Sequence, residues 1–459
     1  MANTKILIIG AGPTGLTAGY RLQELGYEDW VILETNDYVG GLAASFTDEN
    51  GFTFDIGGHV IFSHFRYYED LLEHVLGDNC TVLQREASVW MQNRFIPYPF
   101  QNHIRHLEPQ TVFDCVVGLI KAQQQHHEPT NFLEWVEAVM GPGIAKHFMI
   151  PYNFKVWATP AEQMNYEWIS ERVAVLDAET MLRGIILGEE ADSWGPNDTF
   201  KYPLHGGTGY LCQALRRFVE GHLELDTRVL SVDPAEKRVL TSDGRLWSYD
   251  VLLSTMPLNH LVASMESAPD AVRQAAKSLQ WTGSHIVGVG IDRPAMTTKN
   301  WIYFPELDVP FSRVTYLSNY SRYITPEPDQ TLFLTETSHS NLKAEPVEQI
   351  VERVVDALVA TPLMDEGDRD RIVTTWRCSP DMSYPVPSVT RDTSLGTIQP
   401  WLRGHAIWSR GRFGAWLYEV GNMDHSAMQG VEFVNHVLLG DPETVWIPRG
   451  QEASGEGIR

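Results

Sequence analysis

Three glycines and a glutamate carry the first chemical signal. Gly10, Gly12 and Gly15 follow the apolar run Lys5–Ile9. Gly10 allows a tight turn, Gly12 lets a pyrophosphate approach the backbone, and Gly15 lets the next helix pack close to the strand. The helix start then offers free N–H groups and a positive dipole end to phosphate. Glu34 ends the second apolar run, Trp30–Leu33. An acid at that distance can accept from both hydroxyls of a ribose. The strand–turn–helix context predicts a dinucleotide site rather than a tight loop in an ordinary βαβ unit.

Such a site needs a large scaffold, and the chain has one. Of its 459 residues, 43% are hydrophobic and 20% charged. That composition supports a sizeable core and excludes a disordered chain, a coiled coil and a collagen-like repeat. Asp and Glu outnumber Lys and Arg by 59 to 35, a formal net charge of −24. Such a surface repels nucleic acid and anionic lipid, so neither is expected as a partner. Any bound anion must be held by local arginines or helix N-termini. The four cysteines, Cys80, Cys115, Cys212 and Cys378, form no CxxC pair. A disulfide framework and a zinc site are not expected, and a reducing, cytoplasmic setting is. His126-His127-Glu128 lacks converging ligands, so no metal site is expected. No run approaches the length of a membrane span. The oligomeric state is left open.

The patterning predicts an α/β chain in three parts. A discontinuous Rossmann-like domain takes residues 1–100, 195–262 and 396–448. A helical domain with mobile loops near 170–178 and 193–199 takes 101–194. A mostly antiparallel sheet domain takes 263–395, with alternating runs such as Ser284–Ile291, Phe311–Leu317, Gln330–Thr337 and Arg371–Arg377. Residues 449–459 form a polar, glycine-rich tail expected to be flexible.

The cofactor is narrowed by three further segments. Gly40-Gly41 follows the acidic strand, Asp55-Ile-Gly57-Gly58-His59 comes next, and Arg228-Val229 opens a hairpin much later. This layout resembles flavin enzymes of the glutathione-reductase type, particularly the amine-oxidase branch. The resemblance implies FAD rather than NAD, with Val229 beside the adenine. Gly10, Gly12, Thr14, Gly15, Glu34 and Gly41 then serve the ADP half.

Longer segments resemble the UDP-galactopyranose mutase family, nearer its eukaryotic-type branch. They include Gly57–His64, Pro97–Asn102, Pro151–Ala158, Glu171–Ala174, Gly206–Gly209, Pro310–Arg313, Ser318–Ser321, Ser409–Gly414 and Tyr418–Asn422. The matches run in order from residue 5 to about 438. The family implies a redox-neutral contraction of UDP-galactopyranose to UDP-galactofuranose through an adduct between the sugar and N5 of reduced flavin. NADPH or NADH is implied as the external reductant.

The resemblance also implies roles. Arg172 and Arg313 occupy the two positions that clamp the substrate diphosphate. Arginine suits that task because its planar fork pairs with phosphate oxygens. Tyr303, Tyr320, Tyr384 and Tyr418 match tyrosines that hydrogen-bond the diphosphate. Tyr98 resembles the uracil-stacking residue, with Phe100 and Gln101 beside it and Phe62 as a nearby wall. Asn153, Trp157 and Asn197 fit further substrate contacts. His59 matches a histidine beside the flavin that positions Gly58 near N5. Arg412, Gly414, Asn422, Met423 and Ser426 match the region of the ribityl chain and pyrophosphate. The helix starting near 421–426 is expected to stabilise reduced flavin with its N-terminus. Four positions depart from the family pattern: Leu42, His205, Leu417 and Met423. Two other readings remain: a mutase for a different nucleotide sugar, and an FAD-dependent oxidoreductase of the amine-oxidase type.

Overall fold

A computed structural model describes residues 5–124, 128–169, 178–189 and 198–446. Ile6–Ile9 is apolar throughout and fully enclosed, as a central parallel strand must be. It lies between Val251–Ser254 and Trp30–Leu33, paired parallel with both. Ile407–Ser409 and Leu223–Glu224 complete this five-stranded parallel sheet. Two long helices, Pro13–Glu24 and Met423–Leu439, pack together on one face. Their contact requires Gly430, where an added Cβ would meet the Thr14 carbonyl oxygen at 2.2 Å.

The second sheet is large and mostly antiparallel. Its order is Ile372–Cys378, Trp281–Ile291, Thr331–His339, Arg313–Tyr316, Trp301–Tyr303, Ala87–Met91 and Arg94–Pro97. Two expected boundaries move. Residues 87–97 hydrogen-bond to this sheet rather than joining the cofactor part, because Ala87–Met91 pairs in parallel with the open edge of Trp301–Tyr303. In the other direction, Met265, Val272, Ala276 and Leu279 pack into one core with Leu7 and Leu252. The segment just past 262 therefore packs with the parallel sheet.

The helical part holds Pro109–Gln123, Phe132–Ile144, Ile150–Trp157 and Ala178–Leu187. Asn131 caps the second of these, its side-chain oxygen accepting from the Glu134 N–H at 3.0 Å. No helix among the described residues is long and apolar enough to cross a membrane.

Lys155 makes this packing sensitive to pH. Its side chain is buried, and its ammonium donates to the Glu306 carbonyl at 2.6 Å. Burial pushes its pKa down to about 7, against the pull of Asp308, Glu345 and Glu306 and alongside the repulsion of Lys343. The unfolded chain therefore binds more protons than the folded one between pH 7 and the ordinary lysine value. Stability from this group rises with pH through that window. Lys155→Met should remove that rise, worth on the order of a few kcal/mol at full extent. Melting temperatures of both proteins at pH 6 and pH 9 check it: their difference should be largest at pH 6.

Candidate functional site

A cavity of about 860 Å³ opens where the parallel strands end. One end is lined by Gly10, Gly12, Thr14, Glu34, Gly41 and Val229. Gly10 turns at φ +99°, and a Cβ there would meet Thr255 Oγ1 at 2.2 Å. At Gly12 and Gly41 an added Cβ would approach no atom closer than 3.9 Å and would stand in the cavity. The helix Pro13–Glu24 begins at Gly12 with no side-chain cap, so its first N–H groups are open to a ligand. Glu34 is buried and fixed: Oε2 accepts from Ala11 N–H at 2.7 Å, and Oε1 from the Asn36 backbone and side chain at 3.0 and 2.9 Å. Asn422, Met423 and Ser426 bring a second helix start to the same cavity. This set fits an elongated diphosphate-bearing cofactor such as FAD. Gly15 and Gly414 shape the turns without lining the cavity. A Cβ on Gly15 would stand 1.9 Å from the Gly10 carbonyl oxygen, and one on Gly414 would lie 3.1 Å from Ser254 O and Ser409 Oγ.

At the other end lie Gly58, His59, Phe62, Arg313, Tyr384, Arg412 and Tyr418. Arg313 donates from Nε to Glu336 at 2.7 Å and from Nη2 to the Gly58 carbonyl at 3.0 Å. Burial opposes both charges, but each partner outweighs it. Arg313 is held well above its ordinary value, and the Glu336 carboxyl below its own. Burial depresses His59, which is therefore neutral near pH 7, and its Nδ1 is buried without a partner. Arg412 donates to the Ser383 and Gly421 carbonyls at 2.9 and 3.0 Å. Its guanidinium lies over the rings of Tyr384 and Tyr418, at 4.8 and 5.6 Å.

The other expected residues form layers behind this face. Trp157 is 4.6 Å from Tyr418 and 5.8 Å from Tyr384 by ring centroid, and Tyr98 is 5.4 Å from Tyr303. The Tyr320 ring packs on Tyr202 and Phe200, and its hydroxyl is buried without a partner. Asn153 donates to the Met149 carbonyl one helical turn back, at 2.8 Å. Gln101 is buried and does not line the cavity. Phe100 is a core residue here, fully buried and stacked on Phe148 at 4.3 Å. Arg172 and Asn197 lie outside the described residues, as do His126 and most of the two expected loops. The structure adds Glu336. The signal for it was an acid inside the otherwise uncharged run Thr331–Thr335 and its continuation to His339. Among the described residues, no group of three or more His, Cys, Asp or Glu is placed to hold a metal.

Comparison with known proteins adds a lineage to this geometry. The model of the family described as "Flavin containing amine oxidoreductase" matches residues 13–413. A solved structure of reduced UDP-galactopyranose mutase is 40% identical, with a TM-score of 0.94 over 97% of this chain and 96% of that one. Cyclohexylamine oxidase from Brevibacterium oxydans shares the fold at 14% identity, with a TM-score of 0.68 over 95% of this chain and 98% of its own. The curated relatives are matched over only a small part of their length. The 15-cis-phytoene desaturase of Glycine max is 32% identical over 84 residues, which is 18% of this chain and 14% of the relative.

Proposed function

Since the chain belongs to the flavin-containing amine oxidoreductases, and within them to the UDP-galactopyranose mutases, we propose that it interconverts UDP-galactopyranose and UDP-galactofuranose. The observation that carries this reading is the full-length likeness to reduced UDP-galactopyranose mutase at 40% identity. The face holding Arg313 and Arg412 supports it, since two guanidiniums repel an ammonium and have no hydrogen-bond partner on an alkene.

FAD is assigned to the cavity, its ADP half at Gly10–Gly15, Glu34 and Val229. When bound and reduced, it supplies an electron-rich N5 as nucleophile. The chain's own groups do the rest. Arg313, with Arg172 as its expected counterpart, meets the negative charge of the leaving diphosphate. Tyr384 and Tyr418 are placed to donate to phosphate oxygens, with Tyr303 and Tyr320 behind them. Tyr98 stacks on the uracil, near Phe62. Neutral His59 holds no charge against the ring, and Gly58 allows the backbone to approach it. The division into a cofactor part, a helical part and a sheet part belongs to the same proposal. So do a nicotinamide reductant and a cytoplasmic setting, the latter in keeping with four free thiols.

The test is an anaerobic assay on UDP-galactofuranose followed by chromatography. Dithionite-reduced protein should convert it to the pyranose, and oxidised protein should be at least about a hundredfold slower, because only the reduced cofactor is nucleophilic. No conversion by flavin-loaded, reduced protein would remove galactose as the sugar.

A further inference from the structure

Glu336 sits in the long strand Thr331–His339, 7% exposed, with buried residues on both sides. A carboxylate so placed is strongly disfavoured unless it is paired and hydrogen-bonded. It stands directly across the sheet from Arg313, as its register partner. Its Oε1 takes two donors, Arg313 Nε at 2.7 Å and the Gly58 N–H at 3.0 Å, and Arg313 Nη2 lies 2.5 Å from it as an ion-pair contact. Its Oε2 lies 3.5 Å from the Tyr384 hydroxyl. Arg313 Nη2 also donates to the Gly58 carbonyl at 3.0 Å. The pair thus grips Gly58 on both sides of its Cα, through its N–H and its carbonyl.

This geometry bears on how Arg313 meets an anion. A guanidinium binds phosphate best through two parallel N–H groups. The Nε/Nη2 edge already faces Glu336. The Nη1/Nη2 edge is half engaged by the Gly58 carbonyl. Any diphosphate reaching Arg313 therefore meets a cation whose charge and better edge are already taken.

We propose that Glu336 is a positioning residue that acts as a resident anion on Arg313: it fixes the guanidinium and the Gly58 peptide, and the substrate diphosphate must compete with it. The inference rests on the reading that Arg313 meets the diphosphate. Its consequence has a sign. The carboxylate lowers the affinity of the resting site for nucleotide, and in return holds the reacting face in register and lets product leave.

The test uses the full-length, flavin-loaded protein and UDP as probe. Glu336→Gln keeps the shape and removes the charge, leaving the half-buried Arg313 without its carboxylate. UDP should bind the oxidised variant at least tenfold more tightly by calorimetry. KM should fall and kcat should fall at least tenfold. Glu336→Ala should shift UDP affinity in the same direction, and serves if the glutamine variant fails to fold. A residue that merely supports the strand gives the opposite pattern: UDP affinity unchanged or weaker in both variants. That pattern overturns the proposal. If the wild-type protein itself does not bind UDP, the nucleotide-sugar reading fails and takes this inference with it.

Discussion

Arg313→Ala should lower kcat/KM for UDP-galactofuranose by roughly a thousandfold or more while leaving the flavin bound. Two losses combine. Removing a donor aimed at developing negative charge in an enclosed site costs about 10²–10³ in rate. Removing the arginine also leaves Glu336 without its cation and the Gly58 carbonyl without its donor, so the reacting face loses its register. Arg313→Lys separates the two. A lysine keeps the charge but loses the fork, and Nε/Nη2 contacts to Glu336 and the Gly58 carbonyl cannot both be kept by one ammonium. It should recover part of the loss, to within about a hundredfold of the parent. Steady-state kinetics on flavin-loaded proteins decides the matter. A loss under tenfold in Arg313→Ala would remove this residue from the diphosphate site.

Gly15→Ala should abolish stoichiometric flavin binding. A single methyl is enough, because its carbon would be placed 1.9 Å from the Gly10 carbonyl oxygen. No side-chain movement relieves a clash with backbone, so the Gly10–Gly15 turn must open. The Gly10 amide, which donates to the Leu33 carbonyl at 2.8 Å, would be pulled from the sheet. The absorbance ratio of flavin to protein in the purified variant is the measurement. A ratio equal to the parent's would mean that the turn has slack that the packing does not show.

The cofactor end of the site was legible because its determinants are neighbours in sequence. A glycine turn, a helix start and an acid one strand later all fall between Gly10 and Glu34, and the cavity is lined by most of them. The other end depends on register across a sheet. Arg313 and Glu336 face each other only because Arg313–Tyr316 pairs antiparallel with Thr331–His339 in one register. A slip of one residue would turn Glu336 to the other face. Residue type alone does not report register, so the arginine was found by family resemblance and its carboxylate was missed. Phe100 shows the same limit. Its ring lies flat on Phe148 in the core, a packing partner that adjacency in sequence does not report. The displaced boundary at 87–97 is of the same kind, since its partner strand Trp301–Tyr303 lies more than two hundred residues away.

The strand order of the parallel sheet has a consequence for how the protein comes into being. Its central strand, Ile6–Ile9, is made well before its neighbour Val251–Ser254, and Ile407–Ser409 follows later still. At typical elongation rates, the first strand waits roughly 20–80 s for that last one. Until then the edge of Val251–Ser254 that takes Ile407–Ser409 is open, and the helix Met423–Leu439 that covers Pro13–Glu24 does not yet exist. The flavin pocket is thus assembled from segments made far apart in time, and it stays open until the later ones exist. Loading of the cofactor becomes a late event in biogenesis, and a chain stalled before residue 407 carries an exposed apolar strand instead of a coenzyme.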